Sequence, residues 1–314
     1  MNHELSSLNI IKEKDNDFKN NKNIQIDQTN RNEVLSYFIT EFIKINNSII
    51  CKEFFFISES ITKCQSCNTV KYNYQAIYLL EFPLESVYQF CLSKNINPIN
   101  NNGEKCLNFY QCFEHYRNST YFTGENRFYC NVCKKENDSI YLNNIYSLPP
   151  VLIIILNRGK GNSFDCIVDF PKLISFQQFI ICQGSIACYE LKGVITHLGE
   201  SGMGGHFIAY CKHRLDGNWY CYNDSVVTYC DDQENRFRKG TPYILFYESN
   251  DKRNNILFEK NINMNNNMNN IMNFNMNNNM NNVMNNAMNN IMNNNMNNIM
   301  NFPRYENYIK VLTI

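Results

Sequence analysis

The sequence predicts an α+β domain of mainly antiparallel strands with a few helices, and three stretches carry that expectation. Gly193 to Cys230 (GVITHLGESGMGGHFIAYCKHRLDGNWYCYNDSVVTYC) reads as strand, glycine-rich turn, strand, tight turn, strand. Val151 to Leu156 is a continuous apolar run suited to a strand buried on both faces. Val34, Leu35, Phe38, Ile39, Phe42 and Ile43 recur at helical spacing, with Asn32 placed to cap them.

Composition limits the classes of function. The chain has 314 residues, 44% of them hydrophobic, enough to bury a core in one or two domains. Its 29 basic and 29 acidic residues cancel, and no basic stripe offers a footprint for nucleic acid. No apolar run approaches membrane-spanning length, and the N-terminus lacks a basic-then-apolar signal pattern. A soluble protein of the cytoplasm or nucleus is the expectation, with no membrane partner.

Along the chain, residues 1–31 form a polar arm with few apolar anchors, expected to be disordered. From Cys51 the pattern turns to strands: Phe54 to Ile57 leads into Ser60-Ile61-Thr62-Lys63-Cys64-Gln65-Ser66-Cys67-Asn68. Tyr72 to Leu84 reads as one more strand, Val87 to Cys91 as the start of a short helix, and Phe109 to His115 as helical. His115 has no partner at ligand spacing and reads as a packing or surface residue. Cys91, Cys106 and Cys112 read as small buried hydrophobes. Thr241 to Tyr247 is a last strand, so a domain over 32–248 is expected. Beyond it, 249–302 is an Asn/Met tract in which Met recurs every fourth residue from Met264 to Met300, followed by a short end at 303–314. Asn is a poor interior helix former, and the tract reads as low-complexity disorder.

Two motifs carry chemistry. Cys64-x-x-Cys67 and Cys130-x-x-Cys133, each followed by a polar turn, have the spacing with which two tight turns complete a tetrahedral four-sulfur metal site. The 62 residues between the pairs exceed a compact ribbon, so the site would join distant hairpins. Two disulfides are the alternative, disfavoured in a reducing compartment. The second motif is the hairpin that brings His206 and Asn223 within about two residues of facing each other, with the loop centred on Arg214-Leu215 or on Asp216-Gly217. An imidazole can act as base for a cysteine nucleophile if a third group holds its tautomer, and an Asn side chain can do that by accepting its N–H. Gly204 and Gly205 would let a substrate backbone pass close to His206. Taken singly, a strand histidine is ordinarily a packing residue and Asn223-Asp224-Ser225 an ordinary turn.

Taken whole, Gly204-Gly205-His206-Phe207-Ile208-Ala209-Tyr210 followed by Trp219 to Val226 resembles the histidine box of the ubiquitin-specific proteases, papain-like cysteine peptidases that cut ubiquitin from lysines. Leu148 to Arg158 is similar to that family's Pro-x-x-Leu-Ile-x-x-Leu-x-Arg palm strand, and the cysteine pairs match those that tie its fingers. The resemblance spans roughly Val34 to Glu248. It implies a papain-like fold with an antiparallel β palm and zinc-tied β fingers, most of the helical thumb being missing. It implies His206 as general base, Asn223 as the residue orienting it, and Asp224 as an accessory near the developing oxyanion. It also implies structural Zn2+ at Cys64, Cys67, Cys130 and Cys133, and ubiquitin and ubiquitinated proteins as partners.

One family feature is not found. The catalytic cysteine lies upstream of the fingers in a Gly-Asn-Thr-Cys-type box opening a helix, where free N–H groups and the dipole lower the thiol pKa. Cys51, the first cysteine, stands in Ile-Ile-Cys-Lys-Glu-Phe and matches no such box, nor does any other. Three accounts compete: a longer protease with a misplaced start, an inactive ubiquitin-binding module, or a domain whose partner supplies the missing lobe. The expected function is a deubiquitinating thiol isopeptidase whose nucleophile is missing from this chain, with the inactive module as alternative.

Overall fold

The first element of the computed structural model, which describes residues 26–160, 163–182, 186–198, 205–230 and 241–250, is the amphipathic helix that the apolar spacing predicts. This α1 (Arg31–Ile45) is capped by Asn30, not Asn32: the Asn30 side chain accepts from the Glu33 N–H at 3.3 Å. The start is set by Arg31, whose side chain is tied into the strands beneath, so Asn32 lies inside the first turn. A second, short helix, α2 (Ile49–Phe54), follows and contains Cys51. The strand expected from Cys51 is displaced by it, because the Ser48 side chain caps the Cys51 N–H and starts a helical turn.

The fingers follow. β1 (Phe56–Cys64) and β2 (Val70–Ile77) form a hairpin, and β3 (Leu80–Pro83) leaves it for another sheet. The predicted single strand over Tyr72 to Leu84 is therefore two strands in two sheets. Helix α3 (Leu84–Ser93) extends the predicted helix at both ends, then come β4 (Cys106–Asn108) and α4 (Phe109–Tyr116). The start of α4 is a reciprocal capping box between Asn108 and Gln111. Next are β5 (Thr120–Phe122), β6 (Phe128–Cys130), β7 (Lys135–Asn137) and β8 (Ser139–Ile145). The finger sheet has the order β2-β1-β8-β5, and β6 and β7 form a separate hairpin.

The palm holds the rest: β9 (Val151–Asn157), β10 (Ile167–Asp169), β11 (Leu173–Ser175), β12 (Cys188–Leu198), β13 (His206–Lys212), β14 (Trp219–Asn223), β15 (Val226–Cys230) and β16 (Thr241–Ser249). Its sheet runs β15-β14-β13-β12-β16-β9-β3, with β11 also on β12, while β4 and β10 pair apart from it. All its pairings are antiparallel except β3 with β9. β9 was expected to be buried on both faces; instead fully buried and half-buried residues alternate along it. One face lies on the core with Leu152, Ile154 and Leu156, and the other is covered only in part. The palm core interlocks aromatic rings from several elements. Phe113 of α4 stacks on Phe179 at 4.6 Å and meets Phe82 edge-on at 4.9 Å, and Phe176 meets Tyr247 of β16 at 6.2 Å. Cys91 and Cys112 are buried in this core as the sequence suggested, and Cys106 is half-buried.

Two charged side chains, Glu59 and Arg158, are buried. Glu59 of β1 is fully buried, and Arg31 grips it from α1 with Nε at 2.6 Å and Nη2 at 3.0 Å. Tyr74 donates its hydroxyl to the same carboxylate at 2.6 Å and Asn144 its amide at 3.3 Å, so helix and three strands meet at one anion. Burial pulls the guanidinium pKa down, but the Glu59 charge, joined by Tyr74 and the hydrogen bonds to both, outweighs it and the net shift is upward. Arg158, at the end of β9, is also buried, and donates from Nη1 to Cys166 O at 2.6 Å and from Nη2 to Pro242 O at 3.3 Å. It ties β9, the following loop and the start of β16 together, and is neither acid nor base.

Removing one partner of a hydrogen-bonded buried ion pair costs about 3–5 kcal/mol, because the other charge is left without compensation. Arg31→Ala is expected to lose stability of that order in urea unfolding, and Arg31→Lys, which keeps the charge but not the two-pronged contact, is expected to lose less. A loss below about 1 kcal/mol for Arg31→Ala, the size of an exposed pair, would show that the pair does not anchor the helix.

Candidate active site and metal centre

The four cysteines sit on two matched turns. Cys64 ends β1 and Cys67 follows in the turn to β2; Cys130 ends β6 and Cys133 follows in the turn to β7. In each turn the residue after the second cysteine adopts a left-handed conformation, Asn68 at φ 58° and Lys134 at φ 57°. Each of these donates its N–H to the carbonyl of the first cysteine, at 3.0 Å and 2.8 Å. Such a conformation is costly for a residue with a side chain, least so for Asn, and here it curls both backbones so that two thiols point to one spot. The distant hairpins thus meet, as the spacing predicted.

The sulfur positions fit zinc. Cys64 and Cys133 Sγ lie 4.0 Å apart, Cys67 and Cys130 Sγ 3.6 Å, and all four fall within 4.8 Å of one another. Four sulfurs about 2.3 Å from a central zinc would be about 3.8 Å apart, whereas a disulfide needs about 2.05 Å. The electrostatics point the same way. The Thr69 hydroxyl, 3.1 Å from Cys67 Sγ, holds that thiol down to about 6, while the contact with Cys67 pushes Cys133 up to about 12. Clustered thiolates resist forming together until a cation neutralises them. A four-sulfur zinc is closed to substrate, so its role is structural.

The second site is the hairpin of β13 and β14. Lys212 pairs with Trp219 and Ala209 with Tyr222, which leaves a six-residue loop from His213 to Asn218. Its midpoint falls between Leu215 and Asp216, between the two centres the sequence allowed. Asp216 holds the loop by accepting from the Asn218 N–H at 2.9 Å and the Tyr220 hydroxyl at 2.8 Å, and the first of these contacts leads in holding its carboxyl down to about 2. In this register His206 lies diagonally across from Asn223 on the same face of the sheet. His206 Nε2 meets Asn223 Oδ1 at 2.5 Å. An amide oxygen only accepts, so Nε2 carries the proton and Nδ1 keeps the lone pair of a base. Asn223 pairs with Val226 across the two-residue turn Asp224-Ser225, where Asp224 takes φ 51°. That turn brings the exposed Asp224 carboxylate to 3.9 Å from His206 Nε2.

Gly205 precedes His206 and has a different neighbour from the one the sequence suggested. A Cβ at Gly205 would lie 2.0 Å from Nε2 and 2.4 Å from Cε1 of His197, so that space is filled by the His197 ring of β12. Gly204 lies outside the described residues. In the sequence His197 shows itself only as a second histidine one strand before the glycine pair. Among the described residues no cysteine is hydrogen-bonded to His206. Cys211 and Cys221 are packed in the hairpin itself, burial pushes the Cys211 thiol up, and Cys51 lies on α2.

Comparison with known proteins adds a family. A family model described as ubiquitin carboxyl-terminal hydrolase matches residues 6–247, beginning well upstream of the motifs. Ubiquitin carboxyl-terminal hydrolase 15 of Homo sapiens is 32% identical over 147 residues, covering 45% of this chain and 15% of that protein. Ubiquitin carboxyl-terminal hydrolase 4 of Mus musculus is 31% identical over 149 residues, with the same coverage. A solved chain of the SAGA DUB module of Ubp8, Sgf11, Sus1 and Sgf73 bound to monoubiquitin has a TM-score of 0.51 at 23% identity, covering 70% of this chain and 46% of that one. A yeast SAGA DUB module matches at 22% identity with the same TM-score, covering 70% and 48%. The structural likeness shows the fold, and this chain spans 15% of the length of those relatives and under half of those solved chains.

The metal centre yields a direct test. Purified protein is expected to carry about one zinc per chain, and Cys64→Ser or Cys130→Ser to lose it. Hydrogen exchange should then rise in β1, β2, β6 and β7 while β12 to β14 stay protected. Full zinc retention in both variants would remove the cluster as the metal site.

Proposed function

The chain belongs to the ubiquitin carboxyl-terminal hydrolase family, and on that footing we propose that it is the palm and fingers of a deubiquitinating thiol isopeptidase. The observation that carries this reading is the His206 to Asn223 contact at 2.5 Å, which leaves Nδ1 as the basic nitrogen. The attacking cysteine is not among those of this chain. In the proposed reaction Nδ1 of His206 takes the proton of that thiol, and the sulfur attacks the carbonyl carbon of ubiquitin's terminal glycine. The tetrahedral intermediate collapses, His206 returns the proton to the departing lysine amine, and a thioester remains. Water, deprotonated by His206, attacks the thioester and releases ubiquitin as the acid and the enzyme as the thiol. Asn223 holds the imidazole in one tautomer and one orientation throughout. Asp224, beside the same ring, assists at the polarised carbonyl directly or through water.

The fingers, stiffened by zinc, would grip the globular body of ubiquitin. Fourteen cysteines without a disulfide suit the cytoplasm or nucleus, which fractionation of cells would test. A second reading is favoured by one observation, that no described cysteine meets His206: the chain then binds ubiquitin without cutting it.

Turnover separates the two. Protein isolated from its natural source is expected to release a fluorogenic amine joined to the C-terminus of ubiquitin, and His206→Ala to slow this by about 10²–10⁴-fold. Turnover untouched by His206→Ala would remove His206 as the base, and ubiquitin binding with no turnover and no labelling by a thiol-reactive ubiquitin probe would select the second reading. Asn223→Ala is expected to lower kcat with little effect on KM, since it acts on the orientation of His206 and not on substrate binding.

A further inference from the structure

We propose that His197 is the positioning residue for His206, a wedge fitted into the side chain that Gly205 lacks; the inference rests on the reading of His206 as the base. The wedge follows from strand geometry. Directly opposed residues of an antiparallel pair share a face, and successive residues alternate faces. His197 is opposed to Phe207, and Leu198 to His206, so His197 and Phe207 point to one face while His206 points to the other. The two residues that flank His206, Gly205 and Phe207, are therefore both within reach of His197.

His197 makes close contact with both. Its ring is buried and lies against the Phe207 ring, with centroids 4.9 Å apart, and Phe207 leans in turn on Tyr243 of β16 at 6.0 Å. On the other side it fills the position a side chain at 205 would take, where a Cβ would sit 2.0 Å from Nε2 and 2.8 Å from Leu198 O. Ordinary contacts between such atoms are about 3.5–4.0 Å, so no side chain at 205 is compatible with the ring where it lies. Gly205 is thus required here for space and not for an unusual φ. His206 itself is held mainly at its tip, by Asn223, and its side chain is 43% exposed. Its backbone needs fixing from below, since an exposed ring on a loosely held residue would wander from the 2.5 Å contact. Pinning 205 and 207 from the opposite face achieves this without placing anything in the path of a substrate.

The strand behind His197 supports it. His197 is paired on its other side with Thr241, and Thr196 with Pro242, whose carbonyl accepts from the buried Arg158. The wedge therefore stands on the part of β16 that Arg158 clamps.

A size exchange tests the wedge. Gly205→Ala is expected to displace the His197 ring and with it the His206 backbone; His197→Ala is expected to leave the space open and let His206 wander; the double variant, in which the new methyl enters the vacated space, is expected to restore part of the native placement. The readout is the ¹⁵N signature of the His206 imidazole, which reports the Nε2-protonated tautomer held by Asn223 and needs no catalysis. The native protein should give a single Nε2–H tautomer, each single variant should lose it to a mixture, and the double variant should recover it relative to His197→Ala. Circular dichroism and zinc content should stay native in the variants compared.

A native tautomer pattern in both folded single variants would overturn the proposal. If Gly205→Ala does not fold, His197→Ala, which adds no atom beside Leu198 O, decides on its own: a native tautomer pattern there overturns the proposal. A protein that neither binds nor cleaves ubiquitin would sink the functional reading and leave this result intact. Failure of the size exchange, conversely, would leave ubiquitin cleavage untouched.

Discussion

A strand in the middle of a sheet must find partners for the backbone groups on both of its edges, and that constraint organises the palm around Cys188–Leu198. β16 covers one edge almost from end to end, while β11 and β13 share the other. β16 in turn carries β9, and β9 carries β3, so segments far apart in the chain are drawn into one sheet. His206 begins the strand on one edge of β12, and Arg158 clamps the strand on the other. His206 and the core of the palm therefore share one ladder of hydrogen bonds, and displacement of β12 would be felt at both.

The fingers are held differently. Their sheet is narrow, and β6 and β7 form a hairpin of three residues a side that cannot bury enough apolar surface to hold itself. Two polar clusters take over where the core is thin. At one end the Glu59 carboxylate gathers α1, β1, β2 and β8. At the other the four thiols join the β1–β2 turn to the β6–β7 turn. Each is a demanding arrangement, because a buried anion without its cation, or clustered thiolates without a metal, would be costly. The same demand specifies which elements meet.

The histidine hairpin combines two kinds of support. Asn223 acts on the tip of the His206 ring by one hydrogen bond, and the two-residue turn after it brings Asp224 to the same nitrogen. The opposite face of the sheet carries His197, packed against both neighbours of His206. In this division the polar face carries His206, Asn223 and Asp224 and the opposite face carries His197 and Phe207, an arrangement that strand alternation supplies without extra elements. Gly205 links the two faces: it precedes His206 in the chain, and the His197 ring occupies the space its side chain would take.

The sequence by itself determined the fold class, the helices over α1, α3 and α4, the pairing of the cysteine turns and the facing of His206 and Asn223. Each depends on short-range information: apolar period, Cys-x-x-Cys spacing, and a turn that folds two strands back on each other. Where the sequence was misleading, the deciding contact was distant. The helix begins at Arg31 because Glu59, 28 residues on, receives its guanidinium. Tyr72 to Leu84 divides between two sheets because β2 is claimed by β1 and β3 by β9, which no local pattern signals. β9 has one half-covered face because of what packs, or fails to pack, above it. The reason for Gly205 was the least legible, since a glycine beside a histidine shows its freedom in the sequence but not which side chain occupies the space. Only the register of β12 against β13 puts His197 there.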